Sequence, residues 1–234
     1  MQTIAENIRQ IRDQMAEAAI RAGRDPAEIL LCAATKMNDA AAVQEAVQGG
    51  VDCCGENRVQ ELQEKLPQGA YTGKPVHFIG HLQKNKARFV VGQVELIQSV
   101  DSEALCTLLN RLAAERRLRQ KVLLEVNIGA EASKSGLTPE AAMDLAAEFQ
   151  TFPALQLCGL MAIPPVSPEP GANTHFFEKM CELFVDIRAK KYDNVSMDCL
   201  SMGMSGDFPE AIAAGSTMVR IGTAIFGPRS YGHR

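Results

Sequence analysis

Eight short apolar runs recur along the chain, each followed by a helix-length amphipathic segment. The runs cover residues 29–35, 51–54, 76–79, 96–99, 122–127, 155–163, 197–202 and 218–222. The intervening segments at 39–48, 57–66, 83–91, 102–118, 138–150, 173–190 and 206–214 read as helices. Strands almost continuous in apolar residues are those of a parallel sheet covered on both faces. Eight of them, alternating with helices and uninterrupted by a linker, predict an α/β fold: one TIM-type (β/α)8 barrel. A length of 234 residues suits that single domain, 1–234. Ahead of the first strand, Ile4, Ile8, Ile11, Met15, Ala18 and Ala19 follow a helical spacing, so the barrel is expected to carry an extra N-terminal helix over 3–22.

Composition narrows the function. A net charge of −4 argues against general nucleic-acid or anionic-membrane binding, and no apolar stretch is long enough for a membrane span. The opening "MQTIAENIRQIRDQ" is charged and lacks a signal-peptide core. Seven cysteines without a C-x-x-C pair signal neither a disulfide framework nor a zinc site. Reduced cysteines in a cytoplasmic protein are the expectation.

In barrels of this type the chemistry sits where the strands run out. The first run, "ILLCAATKMND", ends on Lys36, which reads either as a solvated strand-end lysine or as an amine aimed into a site. After the seventh run, Ser205 and Gly206 in "SMGMSGD" open a helix; after the eighth, Gly222 and Thr223 in "RIGTAIFG" do the same. Both turns read as plain caps or as anion sites, because unpaired N–H groups and the dipole favour phosphate there. Ser205 or Asp207 is the expected cap of the seventh helix. Arg220 lies inside an apolar strand and needs a partner, either a barrel carboxylate such as Glu125 or an acceptor on a ligand. Strand eight neighbours strand one in a closed barrel, so a lysine would face two phosphate-suited turns. That combination points to a Schiff base with a phosphorylated aldehyde, either pyridoxal phosphate or a sugar phosphate in an aldolase.

The motifs "AATKMND", "GENRVQE", "HFIGHLQKNKAR", "VNIGAEASKSGL", "GLMAIPP" and "LSMGMSGDFPEAIAAGSTMVRIGTAIFGPR" resemble, over essentially the whole chain, the YggS/PROSC family of pyridoxal phosphate homeostasis proteins. The resemblance implies the barrel of the alanine racemase N-terminal domain and pyridoxal 5'-phosphate as cofactor. It implies that Lys36 holds the cofactor as an internal aldimine and that Asn57 lies beside its ring. Ser201, Ser205, Gly206, Gly222 and Thr223 match phosphate-holding positions, and Arg220 matches an arginine meeting the pyridine nitrogen or the phosphate. Lys134 matches a lysine common in the family, with a solvated loop lysine as the bland reading. Departures are Thr35 where serine is usual, Met37-Asn38-Asp39 where a proline follows, and Cys53-Cys54 where an aromatic residue is common.

Racemases of this fold need a second base, a tyrosine supplied by a separate domain of the partner subunit. Here Tyr71, Tyr192 and Tyr231 all lie away from predicted strand ends, and the sequence stops at Arg234 soon after the eighth strand. The expectation is therefore a monomeric, non-catalytic carrier that takes part in pyridoxal phosphate homeostasis and passes the cofactor to apo-enzymes. The alternative is a weak amino-acid racemase.

Overall fold

The computed structural model describes residues 2–131, 134–165, 167, 169 and 171–227. Eight parallel strands close into a barrel in sequence order: β1 (Leu30–Ala34), β2 (Cys53–Glu56), β3 (Val76–Phe78), β4 (Leu96–Val100), β5 (Gln120–Val126), β6 (Leu155–Ala162), β7 (Val195–Ser201) and β8 (Met218–Ile221). Closure joins β8 to β1, with Cys32 opposite Arg220 and Ala33 opposite Ile221. The helices α1 (Ile4–Arg21), α2 (Ala40–Gln48), α3 (Val59–Lys65), α4 (Glu103–Glu115), α5 (Pro139–Ala147), α6 (Thr174–Lys190), α7 (Phe208–Ala213) and α8 (Thr223–Phe226) complete the alternation. The main apolar core lies between strands and helices, and two smaller clusters fill the barrel interior. No described helix is long and apolar enough to cross a membrane.

The extra helix forms for local reasons. Thr3 and Glu6 make a reciprocal capping box at the start of α1, and Ile8, Ile11, Met15, Ala18 and Ala19 form its buried stripe. It packs against α7, α8 and α2, and Asn7 Nδ2 donates to the Ile225 carbonyl at 2.8 Å. Two segments depart from expectation. Residues 84–89 form a 3₁₀ rather than an α-helix; the five-residue step between buried Leu82 and Ala87 breaks the apolar stripe that an α-helix needs. Neither Ser205 nor Asp207 bonds an N–H of α7 through its side chain: Asp207 Oδ1 accepts from Met204 N–H at 2.7 Å instead. One glycine is forced by the sheet. At Gly159 (φ 152°) a Cβ would lie 1.8 Å from the Cys199 carbonyl oxygen, where the β6–β7 register shifts.

Candidate functional site

Lys36 leaves β1 on a turn that is fixed from below. Beneath it, Lys65 of α3 is buried, and its ammonium donates to the Thr35 carbonyl (2.9 Å), Glu56 Oε1 (2.7 Å) and Glu61 Oε2 (3.2 Å). Those bonds use all three N–H groups of the ammonium. Glu56 Oε1 also accepts from Thr35 Oγ1 (2.6 Å) and from the Tyr71 hydroxyl (2.9 Å). Burial, then the nearby Glu56 charge, pushes the Tyr71 phenol above its ordinary range, so it stays a donor. Glu61 Oε2 receives the Met37 N–H at 2.7 Å. Met37 has φ 63°, a left-handed conformation costly for a side-chain-bearing residue. The hydrogen bond to Glu61 helps hold it there, so the backbone on both sides of Lys36 is tied to one buried ion cluster.

Arg220 of β8 is 4% exposed. Its Nη1 donates to Ser201 Oγ (2.6 Å) and its Nη2 to the Ala162 carbonyl (2.9 Å). Ser201 Oγ donates on to Gln98 Oε1 (2.7 Å), and Gln98 Nε2 lies 2.9 Å from His77 Nδ1. Arginine has no acceptor, so the chain of bonds has one direction and leaves His77 Nδ1 an acceptor. Burial pushes the His77 imidazole down to about 4, consistent with a neutral ring. Among the described residues Arg220 makes no ion pair within 4 Å: Glu125 acts on it only at longer range.

The two glycine-hydroxyl turns do meet. The Ala224 N–H donates to Ser205 Oγ at 3.4 Å, linking the β7–α7 turn to the β8–α8 turn. A Cβ on Gly222 would touch Ala34 at 3.4 Å, so the second turn abuts the strand that delivers Lys36. Gly206 faces open space and Thr223 is exposed. Ser201 is placed differently from the other hydroxyls, fully buried and bonded to Gln98 and Arg220.

A cleft of about 320 Å³ occupies the β2–β6 side of the mouth, lined by Asn57, Gly80, His81, Glu125, Asn127 and Lys134 among others. Asn57 Oδ1 and Glu125 Oε2 are buried without a hydrogen-bond partner. Burial, reinforced by the charge of Asp101, raises the Glu125 carboxyl above its ordinary value. Lys134 is no freely solvated loop lysine, for its Nζ donates to the Pro164 carbonyl (3.1 Å) and pairs with Glu131.

Sequence reading did not single out Glu56, Lys65, Gln98 or His77. A signal existed for three of them. Lys65 falls in phase with buried Val59 and Leu62, while His77 and Gln98 interrupt apolar strands as Arg220 does.

A closed eight-stranded barrel with a lysine turn beside an arginine strand and two linked hydroxyl turns is a barrel of the alanine racemase class: the family model described as "Alanine racemase, N-terminal domain" matches residues 1–230. Within that class the chain belongs to the pyridoxal phosphate homeostasis protein family. It is 42% identical over 232 residues to the Pseudomonas aeruginosa protein of that name, covering 99% of this chain and 98% of the relative. It is likewise 42% identical over 234 residues to the Escherichia coli protein, covering 99% of each. The structure of PipY from Synechococcus elongatus with pyridoxal phosphate bound superimposes with a TM-score of 0.78 at 32% identity, over 91% of this chain and 100% of PipY.

Proposed function

We propose that this chain binds pyridoxal phosphate through Lys36 and serves intracellular homeostasis of that cofactor as a holder and donor, not as a catalyst. One observation carries the reading: the Ser205–Ala224 bond joins the two glycine-hydroxyl turns, and Gly222 packs them against the strand that presents Lys36. The residues fit the group. Lys36 supplies an amine for an aldehyde, and the turns entering α7 and α8 bring Ser205, Gly206, Gly222 and Thr223 close together, tied by the Ala224 N–H bond to Ser205 Oγ. These turns suit a phosphate dianion. Arg220 contributes a donor that never gives up its charge, held in place by Ser201. Asn57, with its orphaned Oδ1, borders the space for the ring. When bound, pyridoxal phosphate supplies an aldehyde that captures amines and a ring that withdraws electrons. Acting on the pyridine nitrogen, Arg220 would keep that ring a weak electron sink.

The case against catalysis is that, among the described residues, no tyrosine hydroxyl stands uncommitted at the mouth. Tyr71 reaches the ion cluster below Lys36, but its hydroxyl is committed to Glu56. Tyr192 precedes β7, at the opposite end of the barrel, and Tyr231 lies outside the described residues. A two-base racemisation needs a second proton donor at the mouth. The test is direct. Protein reconstituted with pyridoxal phosphate should absorb in the visible, lose that band on borohydride reduction, and carry a pyridoxyl group on Lys36 by mass spectrometry. It should also reactivate an apo-enzyme. A colourless product, or label on other lysines only, would sink the binding reading. Alanine racemisation at ordinary enzymatic rates, abolished by Lys36→Ala, would establish the racemase instead.

A further inference from the structure

Below the level of Arg220 the barrel interior departs from the branched aliphatic layers usual in such barrels. Cys32 of β1 and Cys53 of β2 are direct register partners, and His77 follows on β3. One ligating atom from each of the three lies within 4.8 Å of the other two. The residues are 0%, 2% and 5% exposed. Met218 of β8 packs against both cysteines, with Cys199 of β7 at its edge. A reduced cysteine alone needs no more explanation than a small apolar filler. Two in-register thiols, a thioether and a neutral imidazole converging in one dry layer do, because a buried imidazole pays a desolvation cost that a valine would not.

We propose that Cys32, Cys53 and His77, with Met218 as the fourth donor, bind a divalent d¹⁰ cation of the zinc type inside the barrel. Thiolate, imidazole and thioether are the donors that such cations select over hard oxygen sites. Charge balances: each thiol gives up one proton to solvent, and the two thiolates neutralise the dication. The complex therefore adds no net charge to the apolar interior. Metal–sulfur bonds of about 2.3 Å and metal–nitrogen bonds of about 2.0 Å place ligand atoms roughly 3.5–3.8 Å apart. The triangle of donors has only about 1 Å to contract. Gln98 Nε2 lies 2.9 Å from His77 Nδ1, and the imidazole gives the ion one nitrogen once the ring proton has moved to the other. The same Gln98 Nε2 lies 3.2 Å from Met218 Sδ, so one amide contacts both the imidazole and the thioether. The half-exposed Glu95 and Lys121 act on His77 from the amino end of the barrel. The cofactor mouth lies at the other end, so the site is independent of the reading given for Lys36. Separations of 21 residues between the cysteines and 24 to the histidine hide it from any search for closely spaced ligand pairs.

The test uses reduced, chelator-stripped full-length protein, in wild-type and Lys36→Ala form, titrated with Cd²⁺ and then with Zn²⁺ against a chromophoric chelator. The expected result is one equivalent per chain in both forms, with ultraviolet thiolate-to-cadmium absorption of two-thiolate amplitude. Cys32→Ser and Cys53→Ser should each weaken binding at least tenfold, and His77→Gln should shift the cadmium band. Cys106→Ser, at a buried cysteine of α4, should change nothing. Should the serine variants misfold, the wild-type titration decides alone. No uptake by natively folded wild type, a one-thiolate amplitude, or a Cys32–Cys53 disulfide in protein handled without oxidant would each overturn the site.

Discussion

Lys65→Met tests how much of the fold rests on the ion cluster under Lys36. The lysine side chain is 6% exposed and its partner Glu56 0%, so solvent screens little of the interaction. Removing the ammonium strips Glu56 Oε1 of a 2.7 Å charged donor and frees the Thr35 carbonyl. Breaking one side of a buried pair costs about 3–5 kcal/mol, because the remaining charge has no compensation. At roughly 2–4 °C per kcal/mol for a chain of this size, the melting temperature should fall about 6–20 °C. Replacing both partners is different: Lys65→Met with Glu56→Leu removes both charges, and well-packed apolar pairs of this kind often match the stability they replace. The double variant should therefore recover most of the loss in urea denaturation. It should not recover cofactor binding, because Thr35 loses both its bond from Lys65 and its bond to Glu56, and of the cluster's bonds only Met37–Glu61 still fixes the Lys36 turn. A single-variant loss below about 1 kcal/mol, or a double variant no more stable than the single, would refute the claim that a coupled buried pair holds the turn.

Further outcomes follow from the same geometry. Arg220→Gln should raise the dissociation constant for pyridoxal phosphate at least about tenfold, roughly 1.4 kcal/mol, with the circular dichroism spectrum unchanged; equilibrium titration measures it. Glu125 has a folded-state pKa raised above its ordinary 4.5 by burial. The native state therefore keeps a proton that the unfolded chain releases first, and its stability contribution, full below 4.5, is lost as pH rises through the folded value. Glu125→Gln should thus flatten the fall in melting temperature above pH 4.5 and stabilise at neutral pH, with no gain in acid. At Gly80 a Cβ would lie 2.1 Å from the Asn57 carbonyl oxygen. Gly80→Ala must push back the β2–α3 connection, and denaturation should show a loss of roughly 1–3 kcal/mol or more.

The fold was legible because its signals are local. All eight strands fall within a few residues of the apolar runs, and Thr3, Ile8, Ile11 and Met15 announce α1 on their own. What sequence reading missed depends on register between distant strands. Lys65 falls in phase with the buried Val59 and Leu62, but its partner is not written in that spacing. Only the fold shows that α3 turns Lys65 inward onto Glu56, nine residues earlier. The same holds for Ser201: its place at a strand end was readable, but not its commitment to Gln98, 103 residues away. The 3₁₀ segment at 84–89 was missed for another reason: the helix length of the segment outweighed the five-residue step from Leu82 to Ala87, which breaks an α-helical stripe.

The charge pattern of the mouth separates the two readings left open for Arg220. An ion pair with Glu125 would have cancelled the guanidinium and left a structural element. Instead its two close partners are neutral oxygens, Ser201 Oγ and the Ala162 carbonyl. Glu125 is tilted by burial towards its protonated form and spends one oxygen on Ser135 at 3.3 Å. Glu56 at the end of β2 is taken up by Lys65, and Asp101, just past β4, lies 3.3 Å from His81 Nδ1. Arginine keeps its proton even when buried. Among the described residues Arg220 therefore keeps a charge with no carboxylate within 4 Å, which suits the acceptor of an anionic ligand better than a structural ion pair.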